Sequence, residues 1–299
     1  EFMGIRWPSE QTPQPDESWR LLQATVPLVQ AWRDYMHDER SLAPNTLNRR
    51  VSSLSGFFRF LREAAAEMRL PITVPNPAHS QFIGREVQAP VSPTEALSAA
   101  RARQLMALPE GETVLAYRDR ALLRFYLYTG VRIATGCRLH VADFIDDDED
   151  PKVRIQEKGR GKSKRVVGIN LIAADALRQY IEHAALTSGP LFRPRLNPRS
   201  EKLAERAMDV STMYRLLQSY LTQLPRAMKE HELQDGTTEL RCLYSPHSIR
   251  ATTATLLLDQ GEDIRDVQKL LGHKHVTVTQ VYDKRRRGTK DSASHRLSL

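Results

Sequence analysis

Ser245-Pro246-His247-Ser248-Ile249-Arg250, Leu270-Leu271-Gly272-His273 and, nine residues further on, Tyr282 are the most informative stretch of the 299-residue chain. Ser as N-cap and Pro at the first helical position set a helix start. His247 and Arg250 then stand at i and i+3, neighbours on one helical face. Two such groups at a helix N-terminus suit a phosphate, whose oxygens also meet the backbone N–H groups there. His-x-x-Arg alone is a weak signal that an ordinary helix surface also carries. Its company gives it weight. Upstream, Tyr128-Thr129-Gly130-Val131-Arg132 sets an arginine just past a helix end, and Lys158 lies in a turn between two strands.

Around this stretch the pattern is mostly helical. The segment Asp263 to Leu271 and the segment 277–284 read as helices after the one at 246–260, as do 172–186 and 211–223. Arg118 to Tyr128 is a helix stopped at Thr129-Gly130. Lys152 to Gln156 alternates like a strand, and a second strand runs from Arg165 to Asn170 after the turn-like Glu157 to Lys164. Nearer the N-terminus, Val26, Val29, Trp32 and Met36 recur at helical spacing. A second helix follows Ser41-Leu42-Ala43-Pro44, with Asn45 as its N-cap and Leu47, Val51, Leu54, Phe58 and Leu61 as one buried face. Arg49, Arg50, Arg59 and Arg62 fall largely off that face. They either track a DNA backbone or solvate the helix.

Proline breaks the pattern at 70–77 and again at Pro90 and Pro93. The expected organisation is a loose arm at 1–20, a helical domain at 21–88, a linker at 89–94, a larger domain at 95–287 and a tail at 288–299. The opening Glu1-Phe2-Met3-Gly4 reads as a cloning remnant before a start at Met3, with no signal peptide. The fold class expected is mainly α with a small β-sheet or hairpin (α+β).

Composition narrows the function. The chain is 40% hydrophobic and 27% charged, which excludes wholesale disorder. No apolar run is long enough to cross a bilayer, so no membrane partner is expected. Cys137 and Cys242 are too few for a disulfide framework or a Cys-rich zinc site, and a reducing, cytoplasmic compartment is the expectation. The net charge is +8, and residues 152–299 hold 27 basic against 16 acidic side chains. No lysine precedes Lys152. A polyanion partner explains such a bias, and a surface selected for solubility explains it equally well.

Taken together, these residues resemble the tyrosine recombinases, the integrase-like family of phage integrases and bacterial site-specific resolvases. Thr129-Gly130-Val131-Arg132-Ile133, Pro246-His247-Ser248-Ile249-Arg250 and Leu270-Leu271-Gly272-His273 through Gln280-Val281-Tyr282 are similar to the family's catalytic boxes. Ser41 to Leu47 through Phe58 to Leu61 resembles its core-binding domain. The resemblance implies Arg132, Lys158, His247, Arg250, His273 and Tyr282 as catalytic residues, with Lys162 the runner-up to Lys158 and Tyr244 a rival to Tyr282. It implies DNA contacts from Arg49, Arg50, Arg59, Arg160, Lys162, Lys164 and Lys274. A two-domain C-shaped clamp on double-stranded DNA with inverted-repeat core sites is also implied. So are a homotetramer on DNA (a monomer or dimer off it), accessory DNA-bending proteins and a place on the bacterial nucleoid. The tail, Lys284 to Arg287 and then Ser292 to Leu299, is suited to touching DNA or docking on a neighbouring protomer.

The implied chemistry needs these residue types. Attack on a phosphodiester concentrates negative charge on the nonbridging oxygens, which two guanidinium groups meet with paired hydrogen bonds while staying protonated. His247 is the expected proton acceptor and His273 a phosphate ligand. A phenol ionises near pH 10, so a tyrosine nucleophile needs an electropositive pocket. Attack leaves a 3′-phosphotyrosyl bond and a 5′-hydroxyl protonated by Lys158. A second strand reverses the step without ATP, and no cofactor or metal is expected. Strand exchange through a Holliday junction, for integration, excision or resolution, is the implied activity. Three rivals stand beside it: a type IB topoisomerase-like enzyme, a non-catalytic DNA-binding module, and a metal nuclease built on Asp146 to Asp150. Gly159-Arg160-Gly161-Lys162-Ser163 mimics the end of a P-loop but lacks its first glycine, Gln156 standing there. His273-Lys274-His275 is a poor metal site, with His275 expected at the surface.

One position departs from the family pattern. Thr135 stands where an acidic residue is usual, which leaves the pocket more positive unless another acid substitutes. Thr135→Glu should be tolerated or should alter the pH–rate profile of cleavage; complete loss of cleavage with normal folding and DNA binding would contradict this.

Overall fold

The computed structural model describes residues 22–86, 94–156, 164–232 and 237–283. The chain divides into two compact units, Glu1–Ser92 and Pro93–Leu299.

The first unit is built on two helices, α1 (Val26–Asp38) and α2 (Pro44–Glu67). Thr25 caps α1 by accepting from the Leu28 N–H. Asn45 does not cap α2: Pro44 is already helical and Ala43 precedes it, with no side-chain cap. Proline needs no N–H partner at that position, so the helix starts before Asn45. Leu47, Val51 and Phe58 are buried along α2 as their spacing requires, with Leu54 and Leu61 half-buried. A two-helix layer cannot close a core alone. The proline-rich segment completes it, placing Val74 against Phe58 and Ala65, and Ala78 and Ile83 against Val29 and Val51. Asn48 holds the end of that strap at two points, accepting from the Glu86 N–H at 2.9 Å and donating to its carbonyl at 3.1 Å.

The second unit has its core around α4 (Val114–Thr129), which runs through the middle and is buried on most sides. α3 (Ala99–Ala107), α6 (Leu171–His183) and α8 (Pro246–Asp259) pack against it, while α7 (Val210–Leu221) packs on α8 and reaches it through the Tyr220 hydroxyl, which donates to Asp119 at 2.8 Å. α5 (Ile133–Gly136) is a single turn after α4. A three-stranded antiparallel sheet, β1 (Phe144–Ile145), β2 (Lys152–Gln156) and β3 (Lys164–Gly168), pairs Val153 with Val167 and Ile155 with Arg165. The second strand of the expected hairpin therefore ends sooner than Asn170, because Asn170 caps α6 by accepting from the Ile172 N–H at 2.9 Å. α9 (Ile264–Leu271) and α10 (Thr277–Gln280) complete the unit. α10 is shorter than the helix expected over 277–284, and Tyr282 follows it in a turn. Sequence periodicity also missed α3 and a two-stranded ribbon, β4 (Met228–Glu232) and β5 (Thr238–Cys242). Both ribbon strands are largely exposed and carry no clear period-2 apolar pattern.

The crossing of α4 and α8 positions the site. Thr253 Oγ1 of α8 donates to the Leu127 carbonyl in the last turn of α4 at 2.6 Å. Gly130 closes α4 in the left-handed region at φ 58°. A Cβ there would come within 2.5 Å of Leu271 Cδ2 and 3.2 Å of Thr253 Cβ. A side chain there would have to displace Leu271 of α9 and press on Thr253 of α8. Gly130→Ala should therefore destabilise the second unit by about 2–4 kcal/mol, adding backbone strain to overpacking. Denaturant titration checks this through the unfolding midpoint.

Candidate active site

Four short segments converge at the α4–α8 crossing. The extended Ser245 starts α8, its N–H donating to Ser248 Oγ at 3.0 Å, while the Ser248 N–H returns to the Ser245 carbonyl at 2.7 Å. This local knot and Pro246 set the helix phase. His247 consequently faces outward in the first turn and Arg250, one turn on, faces inward and is buried. Arg250 Nη1 donates to the Gly130 carbonyl at 2.7 Å. Arg132 lies two residues beyond Gly130, extended and exposed, as the residue preceding α5.

The other half comes from the α9–α10 corner. Gly272 ends α9 at φ 67°, the left-handed turn that brings His273 back toward the crossing. Gln268 grips the backbone of His273 on both sides, its carbonyl accepting from the His273 N–H at 3.1 Å and its Nε2 donating to the His273 carbonyl at 3.0 Å. The ring Nδ1 meets Thr279 Oγ1 at 2.9 Å. Tyr282 stacks on that ring, centroids 6.2 Å apart and planes 11° apart. Its hydroxyl lies 3.2 Å from His247 Nε2, with the tyrosine only 7% exposed.

The electrostatics follow from this packing. Burial first, then the guanidiniums of Arg250 and Arg132, lowers the His247 pKa. Burial, Arg250, Arg132 and His247, in that order, push His273 down to about 4. Both rings are thus neutral near pH 7 in the free protein. Five of the six expected catalytic residues, Arg132, His247, Arg250, His273 and Tyr282, share one pocket. Lys158 lies outside the described residues, as do Arg160 and Lys162 and the tail from Lys284 onward.

Tyr244 does not belong to this pocket. It is part of the core, its hydroxyl accepts a hydrogen bond from Arg101, and that guanidinium sits 5.6 Å over its ring. Lys164 is held internally: its Nζ is 2.5 Å from Asp143 Oδ1, and Asp143 Oδ2 also accepts from the His140 N–H at 3.0 Å. Lys274 and His275 are exposed. On the first unit, Arg49 and Arg50 line a shallow cavity of about 620 Å³, and Arg59, Arg62 and Arg85 line another of about 270 Å³. The acidic run is bound by cations: Arg178 meets Asp146 at 2.5 Å, and Lys152 meets Asp150 at 2.5 Å. Among the described residues no three His, Cys, Asp or Glu side chains form a group that holds a metal ion. No helix there is long and apolar enough to cross a membrane. Sequence reasoning missed Thr279 and the carbonyl of Gly130, although both lie inside stretches singled out for other residues.

Residues 95–287 match the phage integrase family. Among curated relatives, a tyrosine recombinase XerD of Lacticaseibacillus casei is 28% identical over 267 residues, covering 85% of this chain and 76% of the relative. A tyrosine recombinase XerC of Syntrophus aciditrophicus is 29% identical over 248 residues, covering 79% and 68%. The fold is similar to that of a XerH site-specific recombinase bound to palindromic difH substrate, with TM-score 0.59 and 18% identity over 87% of this chain and 70% of that one. It is also similar to a lambda integrase dimer bound to a COC′ core site, with TM-score 0.58 and 18% identity over 95% and 87%. The chain belongs to the phage integrase family and is a tyrosine-type site-specific DNA recombinase.

The lowered pKa of His273 links pH to stability. An unfolded imidazole titrates near 6.5, so on acidification the unfolded chain takes up this proton first. The contribution is intact above that value and is lost as the pH falls towards about 4. Without DNA, denaturant titrations should show stability declining over this window, and His273→Gln should flatten the decline.

Proposed function

We propose that strand cleavage and rejoining proceed by transesterification among Arg132, His247, Arg250, His273 and Tyr282, with Lys158 as the proton donor. The observation that carries this reading is the Tyr282 hydroxyl 3.2 Å from His247 Nε2, beside the two guanidiniums that depress both imidazoles. The Tyr282 oxygen attacks the phosphorus and its proton passes to His247 Nε2. The bond from phosphorus to the 5′-oxygen breaks, and that oxygen takes a proton from Lys158. Arg132 and Arg250 carry the charge that develops on the nonbridging oxygens, where a metal ion serves in other phosphoryl-transfer enzymes. An incoming phosphate also raises the proton affinity of His247, because it offsets the guanidinium field.

The 3′-phosphotyrosyl bond conserves the energy of the phosphodiester, so a 5′-hydroxyl from a second duplex completes exchange by the reverse route. Two rounds make and resolve a Holliday junction. DNA is the partner of this chain; the further reading is a clamp in which both units face a duplex with inverted-repeat core sites, four protomers assembling on two sites. The exposed arginines of α2, Arg49, Arg50 and Arg59, support a backbone-tracking role for the first unit. Lys274 supports one for the second, and the same is proposed for Arg160 and Lys162. Lys164 is the weaker candidate because Asp143 neutralises it.

The decisive experiment traps the covalent complex on nicked duplexes carrying candidate sites. The wild-type chain should form a protease-sensitive adduct that EDTA does not diminish, and peptide mapping should place it on Tyr282. Tyr282→Phe should form none. Arg250→Lys should slow adduct formation by about 10²–10³-fold with little change in DNA affinity. Free DNA ends without attached protein would refute the reading.

A further inference from the structure

Thr279 has no role in the chemistry described so far, yet it is fully buried and its side chain points at the pocket's second histidine. Its hydroxyl carries one hydrogen. Among the described residues Thr279 Oγ1 makes one hydrogen bond, to His273 Nδ1 at 2.9 Å. With no water-accessible surface, that hydrogen has no other acceptor among the described residues, and leaving it unmet costs about 1–3 kcal/mol. Nδ1 must therefore be the acceptor. An imidazole that accepts at Nδ1 carries its proton on Nε2.

We infer that Thr279 is a positioning residue that donates to His273 Nδ1, locking the ring in the tautomer whose Nε2–H is presented to a phosphate oxygen. The opposite tautomer would set a lone pair against that oxygen and repel it. Gln268 immobilises the backbone of His273 from both sides, so the hydroxyl is left to choose only which nitrogen holds the proton. The choice is real because the ring is neutral: burial and the guanidiniums keep it at about 4. Threonine is also placed by local geometry, six residues after His273 and three before Tyr282 on the short α10, with the Tyr282 N–H returning to the Thr279 carbonyl at 3.0 Å. One residue thus orders both the phosphate ligand and the turn that delivers the nucleophile.

The inference rests on the proposed role of His273 as a phosphate ligand, and its test separates the two. In the full chain labelled with ¹⁵N-histidine, long-range ¹H–¹⁵N spectra near pH 7 should show His273 protonated at Nε2 and unprotonated at Nδ1. A proton on Nδ1 in the wild type would overturn the proposal whatever any variant does. Thr279→Val, which keeps the shape and removes the hydroxyl, should lose that preference and slow adduct formation on nicked duplexes by about 10- to 100-fold. Thr279→Ser should retain both the tautomer and the rate, and stands as the readout if the valine variant does not fold. A Thr279→Val/His273→Gln double variant should be no slower than His273→Gln, because the hydroxyl acts through the ring. A slow His273→Gln beside an unaffected Thr279→Val would sink the positioning role alone. A His273→Gln variant that cleaves at the wild-type rate would sink the phosphate-ligand reading itself.

Discussion

A buried guanidinium meeting a helix-end carbonyl organises the second unit of this protein. Arg250 is 2% exposed, and a charge that deep is sustained only by partners. Its Nη1 finds the carbonyl of Gly130, at the C-terminal end of α4 where helix carbonyls concentrate partial negative charge. Satisfying that one donor obliges α8 to start beside the end of α4. Arg132, two residues beyond Gly130, is then held close to Arg250 although 118 positions separate them in the chain. A glycine is needed at the crossing because the left-handed backbone and the approach of Thr253 and Leu271 leave no room for a Cβ.

The site that results divides its labour by charge state. Guanidiniums stay protonated under all ordinary conditions and supply a constant field. The two imidazoles, one buried and one facing outward but both within that field, stay neutral and are free to accept or donate a single proton. Tyr282 lies between them, stacked on one ring and within hydrogen-bonding reach of the other. The sheet is bound into the same corner: Arg165 of β3 donates to the Leu270 carbonyl of α9 at 2.8 Å. That bond also caps the helix whose final turn delivers His273. Lys164, next to it, is anchored to the buried Asp143. The turn end of the β2–β3 hairpin is therefore fastened through Arg165 to the α9 corner and through Lys164 to the turn that holds Asp143.

Local signals were readable wherever one side chain sets one backbone conformation. The Ser-Pro start of α8, the Gly130 stop of α4 and the apolar face of α2 all come from sterics or capping within a turn or two, so spacing alone revealed them. The failures were of another kind. Pro44 displaced Asn45 as the helix boundary because a residue with no N–H starts a helix without any cap. The β4–β5 ribbon carries Lys229, Glu230, His231 and Glu232 on one strand and little apolar surface on either, so it offers no buried face for periodicity to detect. The end of α10 was overestimated since the Val278–Gln280 pattern is helical but Tyr282 is drawn out of the helix toward the two histidines.

By itself the amino-acid order determined which chemical groups are available, that they come as two arginines, two histidines and a tyrosine in a set order, and that helix ends present most of them. Propensity, capping and spacing act over a few residues, and those facts are of that range. Tertiary structure decided everything that needs groups distant in the chain to meet: that Arg250 is buried and Arg132 is not, and that Tyr282 rather than Tyr244 faces the histidines. It also decided that a threonine hydroxyl dictates where an imidazole keeps its proton. Burial and through-space fields set those properties, and neither exists until the helices cross.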